Sequence, residues 1–236
     1  MKGKVVVITG AFGALGRVVA NAFADRGARL FLIDKARQPA IDLAPQLPSE
    51  AVLLPDVDLS DQAEAARTIG KIQTSSGEID AFKIDVLVNI AGAFRWQTVA
   101  DGDGETWDLL YRLNLKTALN MCRAVALLLA KDGTGRIINV GAGAAIRAVA
   151  GMGAYAASKA GVHRLTEALA EELKGRATVN AVLPSTIDTA QNRADMPNAN
   201  FATWVTPEEL ASVIIFLASD EARAVTGALI PVNGRV

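Results

Sequence analysis

The stretch VVVITGAFGALGRVVANAF, residues 5–23, decides the fold of this chain because it joins an apolar run, a glycine-rich turn and the start of a helix. Gly10, Gly13 and Gly16 follow the apolar run with the spacing G-x-x-G-x-x-G. Glycine lets the backbone approach a pyrophosphate closely, and the helix start beyond it offers free amides and a partial positive charge. The stretch therefore predicts a dinucleotide-binding turn in an α/β sheet, and an ordinary tight turn is the alternative.

Outside this stretch, short apolar runs alternate with alanine-rich helical patterns. Continuous apolar runs are typical of strands that are buried on both faces. Strands are predicted at 4–9, 28–34, 51–57, 85–91, 136–142, 178–184 and 228–233. Helices are predicted at 13–26, 61–76, 104–131, 152–174 and 207–219. The alternation predicts an α/β fold, a doubly wound parallel sheet of the Rossmann type with about seven strands and helices on both faces, in a single domain spanning 1–236.

Composition limits the classes of function. Of the 236 residues, 51% are hydrophobic and 21% are charged, which indicates a globular protein. The net charge of −1 gives no electrostatic reason to expect nucleic acid or an anionic membrane as a partner. The most apolar later stretch, 118–130, is interrupted by Asn120 and Arg123 and is too short to span a bilayer. We therefore expect a small-molecule substrate.

Cysteine and histidine each occur once in the chain. Because Cys122 has no partner for an internal disulfide, a reducing cytoplasm is the simplest location. One histidine cannot build a metal cluster, so no metal site is predicted. His163 lies two helical turns beyond Tyr155, and we expect it at the surface or at an interface.

The second predicted strand ends at Asp34. A carboxylate at this place can accept hydrogen bonds from the adenosine ribose hydroxyls, and it would repel a 2′-phosphate. Asp34 therefore favours NAD over NADP as the cofactor. Lys35 and Arg37 lie beside it and weaken that preference.

Tyr155 and Lys159 are four residues apart in a predicted helix, so they share one face. A nearby ammonium stabilises a phenolate and lowers its pKa, which suits Tyr155 to general acid–base chemistry. The spacing alone is a weak signal, because a solvated lysine beside a packed tyrosine gives the same pattern.

The chain from Val5 to Gly234 resembles the short-chain dehydrogenase/reductase family. TGAFGALG (9–16) is similar to the cofactor turn of that family, with Ala14 at the usual glycine position. DLSD (58–61) is similar to the segment that packs against adenine, and NIAG (89–92) is similar to the family's N-N-A-G motif. The Tyr155–Lys159 pair and Asn114 fall at catalytic positions, and Pro184 falls in the loop that holds the nicotinamide amide.

The resemblance implies a catalytic set of Asn114, Tyr155 and Lys159, with Tyr155 as the general acid and Asn114 placing a water. It also implies an NAD(P) cofactor held by Gly10, Phe12, Gly13, Ala14, Leu15, Gly16, Asp34, Asp58, Leu59, Asn89, Ala91, Gly92, Tyr155, Lys159, Pro184, Thr186 and Ile187. Finally, it implies a homodimer or homotetramer built through the helices predicted at 104–131 and 152–174.

The catalytic serine of the family is missing. Its position, 13 residues before the tyrosine, is Ala142, and no serine lies between Ser76 and Ser158. The quinonoid dihydropteridine reductases are a branch of the family with the same loss. The loop AVLPSTIDTAQNRADMPNANFATW (181–204) is similar to theirs, as is GAGAAIRAVAGMGAYAASKAGVHRL (141–165). Asn114, in contrast, resembles the ordinary family.

A conjugated acceptor spreads incoming charge over its ring and needs a local hydroxyl donor less than a simple carbonyl does. We therefore expect reduction of a quinonoid dihydropterin or a similar flat acceptor, with Ala142, Trp96, Met196 and Trp204 near the substrate and a lid near 186–206. Two alternatives stay open: an ordinary carbonyl reductase or alcohol dehydrogenase, and a weakly catalytic NAD-binding protein.

Overall fold

One parallel sheet organises the chain in the computed structural model, which describes residues 1–39, 47–75, 82–130 and 132–235. Its strands are β1 Val5–Thr9, β2 Arg29–Ile33, β3 Val52–Leu54, β4 Val86–Asn89, β5 Gly135–Val140, β6 Ala177–Pro184 and β7 Leu229–Val232. The strand order is β3-β2-β1-β4-β5-β6-β7, and each neighbouring pair is parallel. The predicted parallel sheet is confirmed, although the third strand is shorter than its apolar run.

Helices cover both faces of the sheet. They are α1 Ala14–Ala24, α2 Gln62–Ser75, α3 Gly104–Leu110, α4 Thr117–Val125, α5 Gly153–Glu172, α6 Ala190–Asp195 and α7 Pro207–Ala218. Side chains of α1 and α7 pack with one face of the sheet in one apolar core. Side chains of α2, α4 and α5 form a second core on the other face. The burial of both faces of the sheet under helices confirms the doubly wound architecture.

The predicted helix 104–131 is wrong as a single element. A π-helical segment, Tyr111–Lys116, separates α3 from α4, and the helix ends at Val125. The wider π turn contains the buried Asn114, whose side chain bonds outside the helix. Beyond Val125 the chain turns, and Leu129 pairs with Ile84. The ends of two predicted helices, Ser76 and Lys131, lie outside the described residues.

The strand order changes direction between β1 and β4, because β2 and β3 lie to one side of β1 and the later strands lie to the other. Open α/β sheets bind ligands at such a switch point, at the carboxyl ends of the strands. Gly10, Gly92 and Ala142 all follow strand ends at this edge. Within the described ranges, no helix is both long and apolar enough to cross a membrane.

Candidate active site

A cavity of about 750 Å³ opens at the carboxyl ends of β1, β2 and β4. It is lined by these residues of the predicted cofactor set: Gly10, Phe12, Gly13, Ala14, Leu15, Gly16, Asp34, Asp58, Leu59, Ala91 and Gly92. The sequence reasoning missed further lining residues, namely Lys35, Ala36, Gln38, Val57, Ile90, Leu113, Thr117 and Thr189. Most of these adjoin a predicted residue in sequence, but Leu113, Thr117 and Thr189 reach the cavity only through tertiary folding.

Two of the three turn glycines are required by close backbone contacts. Gly10 has φ +65°, and a Cβ there would lie 2.8 Å from the Ala91 nitrogen. A Cβ on Gly16 would lie 2.2 Å from the Gly10 carbonyl oxygen, which is far inside contact distance. Gly13 differs, because its φ is −76° and its nearest neighbour would be 3.5 Å away. The turn thus leaves a cradle of backbone without side chains, which fits a pyrophosphate at the start of α1.

The side chain of Thr9 ties the two central strand ends together. Its hydroxyl oxygen accepts hydrogen bonds from the amides of Ile90 and Ala91, at 3.1 and 3.2 Å. The β1 turn and the segment after β4 are therefore fixed to each other at the mouth of the cavity.

The charged groups at the adenosine end of the cavity are paired. Asp34 accepts hydrogen bonds from the amides of Phe12 and Ala36, at 2.9 and 3.0 Å. Lys35 donates to Asp58 at 2.7 Å, and Arg37 lies 3.7 Å from Asp56.

The pairing with Lys35 stabilises the charged form of the Asp58 carboxyl group. Burial opposes ionisation of its carboxyl group, but hydrogen bonds from Lys35 and Ser60 outweigh burial and lower the pKa of Asp58 to about 2. Asp58 is thus charged at neutral pH and holds the Lys35 ammonium.

The predicted Tyr155–Lys159 pair lies on one face of α5. The Tyr155 ring meets Phe94 edge to face, with centroids 5.0 Å apart. Lys159 is 5% exposed, and its Nζ donates to the Val140 carbonyl at 2.7 Å. Burial raises the pKa of Tyr155 to about 12 and lowers the pKa of Lys159 to about 8. The expectation that Lys159 lowers the pKa of Tyr155 is wrong for this structure, because burial dominates both groups.

Asn114 lies beside this pair, held by the π-helical segment. Its Oδ1 accepts from the Ala93 amide at 2.8 Å, and its Nδ2 donates to the Ala93 carbonyl and the Ser158 hydroxyl, at 3.0 and 2.9 Å. A Cβ on Gly92 would lie 2.6 Å from Asn114 Oδ1 and 3.3 Å from Lys159 Nζ. The absence of a side chain at Gly92 therefore leaves room for both of these side chains. The side-chain amide of Asn114 is thus held by Ala93 and Ser158, and its expected role in placing a water stays a prediction.

The substitute for the family's serine is buried. Ala142 is 3% exposed, and its amide donates to Nε2 of His163 at 3.4 Å. His163 is 3% exposed, so the expectation of a surface or interface histidine is wrong. The imidazole fits because position 141 is glycine: a Cβ there would lie 2.6 Å from Nε2. Sequence reasoning could not anticipate this contact, which joins β5 to the middle of α5.

The sequence and the structure can now be compared with known proteins. Residues 4–200 match the family described as short chain dehydrogenase. This chain belongs to the short-chain dehydrogenase family. It is 34% identical to the 3-oxoacyl-(acyl-carrier-protein) reductase FabG of Thermotoga maritima, over 99% of this chain and 98% of that relative. It is 32% identical to the D-threitol dehydrogenase of Mycolicibacterium smegmatis, over 99% of this chain and 93% of that relative.

A solved structure agrees with this assignment. The crystal structure of a short-chain dehydrogenase/reductase, titled glucose/ribitol dehydrogenase, from Brucella melitensis superposes with a TM-score of 0.89 at 29% identity. The match covers 99% of this chain and 96% of that one. The chain is therefore an oxidoreductase of the short-chain dehydrogenase type, a family that uses NAD or NADP.

Some residues that match the short-chain dehydrogenase pattern do not line the cavity. Asn89 points into the sheet, where its Nδ2 donates to Asn139 Oδ1 at 2.9 Å, so a direct contact with the cofactor is not its role here. Pro184 ends β6. Thr186 and Ile187 follow it and pair with Val205, which joins the two ends of the segment between them.

The residues expected near the substrate differ in their exposure to solvent. Trp96 is 61% exposed and Met196 is also exposed, so both side chains are accessible. Trp204 is 7% exposed and packs on Phe201 with centroids 4.9 Å apart, so in this structure its ring is enclosed and not open to a substrate. The loop 181–204 contains the helix α6, which is capped at its start by the Thr189 hydroxyl.

Proposed function

We propose that this chain is an NADH-dependent reductase of a flat, conjugated acceptor, with a quinonoid dihydropterin as the leading substrate class. The observation that carries the proposal is Ala142, a buried methyl group where the family's hydroxyl belongs. Losing a donor to a developing oxyanion typically costs about 100- to 1000-fold in rate. A conjugated ring delocalises the incoming charge, so its reduction depends less on that donor.

The state of Tyr155 supports reduction. Because burial raises the pKa of Tyr155 to about 12, its phenol stays protonated at neutral pH. A protonated phenol can donate its proton to the acceptor as electrons arrive, which is general acid catalysis. The cofactor, when bound, supplies the hydride. Lys159 follows Tyr155 by one helical turn on α5, and the absence of a side chain at Gly92 leaves room for Lys159 and Asn114.

An apolar wall beside Tyr155 supports a flat substrate. Phe94 and Trp96 are both exposed, and Phe94 already contacts the Tyr155 ring. Ile146 and Val149 are exposed in the segment between β5 and α5. Aromatic faces of this kind stack on planar rings and gain more than buried area alone.

The segment 186–206 is proposed as the lid of a single domain spanning 1–236. Asp188 pairs with Arg193 through two hydrogen bonds of 2.5 and 2.7 Å, and the Arg193 guanidinium lies 4.9 Å from the Phe201 ring. These contacts make the lid one connected unit that carries Met196 on its outside.

NADH rather than NADPH is the proposed cofactor. Asp34 would meet the ribose hydroxyls, and the cations that could bind a 2′-phosphate, Lys35 and Arg37, already pair with Asp58 and Asp56. We expect Asp34→Ala to narrow the ratio of NADPH to NADH dissociation constants by about tenfold, because it removes a charge-assisted hydrogen bond worth about 1.5–3 kcal/mol and a repulsion. Fluorescence titration of both cofactors measures this ratio. Tighter binding of NADPH by the unaltered chain would contradict the assignment.

A homodimer or homotetramer through the predicted helices 104–131 and 152–174 is also proposed. Trp107 and Tyr111 leave apolar surface exposed on the first of these segments in a single chain. Sedimentation at micromolar concentration should show no monomer, and a clean monomer would contradict this assembly.

The second candidate is a 3-oxoacyl thioester reductase, which the names and full-length coverage of several relatives favour. Fold and family alone do not fix a substrate, so a measurement of activity has to distinguish the two candidates. The deciding experiment measures NADH oxidation with freshly generated quinonoid dihydropterin, beside a 3-oxoacyl thioester and a panel of ketones and aldehydes. Turnover of the pterin at least about tenfold above the others, in kcat/KM, supports the proposal. Preference for the thioester makes the chain a carbonyl reductase, and binding without any turnover leaves a weakly catalytic NAD-binding protein.

A further inference from the structure

The end of β5 is held by two side chains that lie one helical turn apart on α5. Lys159 Nζ donates to the Val140 carbonyl at 2.7 Å, and His163 Nε2 accepts from the Ala142 amide at 3.4 Å. Between them, the Gly141 amide donates to the Val182 carbonyl of β6 at 2.9 Å. Three consecutive residues, 140–142, are thus fixed by three separate contacts, and the last of these residues stands where the family has its serine.

Gly141 and His163 fit each other sterically. A Cβ at position 141 would lie 2.6 Å from Nε2 and 2.8 Å from Cδ2 of the imidazole. Since the φ of Gly141 is not in the left-handed region, this contact and a Leu183 methyl at 3.3 Å are the constraints on a side chain there. The imidazole therefore occupies the space that a larger residue at 141 would take.

We propose that His163 is a positioning residue, which holds the Ala142 amide and thereby sets the place of the serine-free segment relative to Tyr155 and Lys159. The role rests on the proposed reduction, because a displaced segment would change the rate of that reaction. It also bears on the competing carbonyl chemistry. The Ala142 amide is engaged with His163, so it is not free to donate to a substrate oxygen in place of the lost hydroxyl.

The contact requires a neutral imidazole. A protonated Nε2 would be a donor facing the donor amide of Ala142. Burial, together with the positive charges of Arg164 and Lys159, lowers the pKa of His163 from 6.5 and favours the neutral form. Of the strands packed near it, β6 has no titratable side chain. Arg136 of β5 lies at the other end of that strand and donates to the carbonyls of Gly133 and Gly135.

The test replaces His163 in two ways. His163→Gln supplies an amide oxygen near the place of Nε2 that accepts but does not titrate, and His163→Leu fills the volume without an acceptor. We expect His163→Leu to lower kcat about five- to tenfold, which corresponds to the loss of one hydrogen bond. The NADH dissociation constant should stay unchanged. We expect His163→Gln to keep kcat near the value of the unaltered chain and to remove any loss of kcat below pH 6.5. Equal kcat in all three proteins, or an acid limb that persists in His163→Gln, overturns the proposal.

Two readouts do not depend on finding the substrate. Because His163 is the one histidine of the chain, its ¹⁵N resonances are unambiguous. They should show an unprotonated Nε2 and a protonated Nδ1 at pH 7, and a protonated Nε2 would overturn the proposal. Gly141→Ala should destabilise the fold by a clash that His163→Ala relieves in the double variant, and additive effects would overturn the pairing. If no acceptor is reduced while both readouts hold, the proposed function fails and the holding of Ala142 stands.

Discussion

The cofactor turn follows β1 and the segment 140–142 lies at the carboxyl end of β5, with β4 between these two parallel strands, and the two regions are fixed in different ways. The turn is set by backbone meeting backbone, with Gly16 against the Gly10 carbonyl and Gly10 against Ala91. Segment 140–142 is held mainly by side chains from another element, Lys159 and His163. The first arrangement tolerates no side chain at Gly10 or Gly16, whereas the second can be altered one residue at a time. The chain thus combines the glycine turn of the family with a more adaptable segment in which Ala142 stands at the position of the family's serine.

The largest expected effect comes from breaking the turn. Gly16→Ala places a Cβ 2.2 Å from the Gly10 carbonyl oxygen, and neither backbone can move without opening the start of α1. We expect a loss of more than about 4 kcal/mol in the free energy of unfolding, in the range reserved for steric failures. Urea unfolding of the cofactor-free protein measures it.

Gly13→Ala is the matched control, because its new Cβ would find the nearest atom at 3.5 Å. It should change stability by no more than about 1 kcal/mol, since glycine also carries an entropic cost in the unfolded chain. Equal losses for the two variants would show that the glycine spacing itself, and not the close contact, matters.

The second effect is on turnover. Tyr155→Phe removes the hydroxyl group that donates the proton and keeps the aromatic ring against Phe94. We expect kcat to fall about 1000-fold, within the range for a lost general acid, with the NADH dissociation constant within about twofold of the unaltered value. Tyr111→Phe, at the other tyrosine of the chain, should leave both quantities unchanged. An unchanged kcat in Tyr155→Phe would show that Tyr155 is not the general acid.

The third effect concerns Lys159 and pH. Burial lowers its pKa from 10.5 to about 8, so between pH 8 and 10.5 the unfolded chain binds a proton that the folded chain does not. Stability rises with pH wherever the unfolded state binds more protons. Across this interval, the free energy of unfolding of the unaltered protein should therefore rise by up to about 3 kcal/mol relative to that of Lys159→Met, at about 1.36 kcal/mol per pKa unit.

Unfolding at pH 7, 8, 9 and 10 measures this gain. Lys71→Met, at an exposed lysine of α2, is the control and should show no such change relative to the unaltered chain. Parallel pH curves for the Lys159→Met and unaltered proteins would mean that the ammonium is not buried in solution.

The sheet could be predicted because its signals are local. Each strand lies in a run of mainly apolar residues, and Thr206 with Pro207 marks the start of α7. The site was less accessible to sequence reasoning. Asp34 and the turn glycines follow a motif, but the burial of His163 depends on Gly141, which lies 22 residues earlier, just after β5. Trp204 illustrates the same limit, since an aromatic residue in a loop can face a ligand or stabilise the loop, and only the packing of Phe201 against it decides. The π turn at Asn114 was missed because the side chain of Asn114 bonds to Ser158, 44 residues away, and no local pattern indicates that contact.

The smallest expected effect is the most specific to the proposed substrate. Ala142→Ser restores the family's hydroxyl at a position that is 3% exposed, where the new group needs a partner of its own. On a conjugated acceptor we expect kcat to change by no more than about twofold to threefold, against the roughly 100-fold that an oxyanion donor supplies to a carbonyl. Ala144→Ser, two residues along the same segment, controls for the general effect of adding a hydroxyl. Turnover of a 3-oxoacyl thioester and of a quinonoid dihydropterin should be measured side by side in both variants. A gain confined to the thioester would show that the segment held by His163 still places a serine correctly, and that the natural acceptor is one that does not use it. A gain of about 100-fold on both acceptors would mean that the unaltered site is an impaired carbonyl reductase, and the pterin proposal would then be wrong.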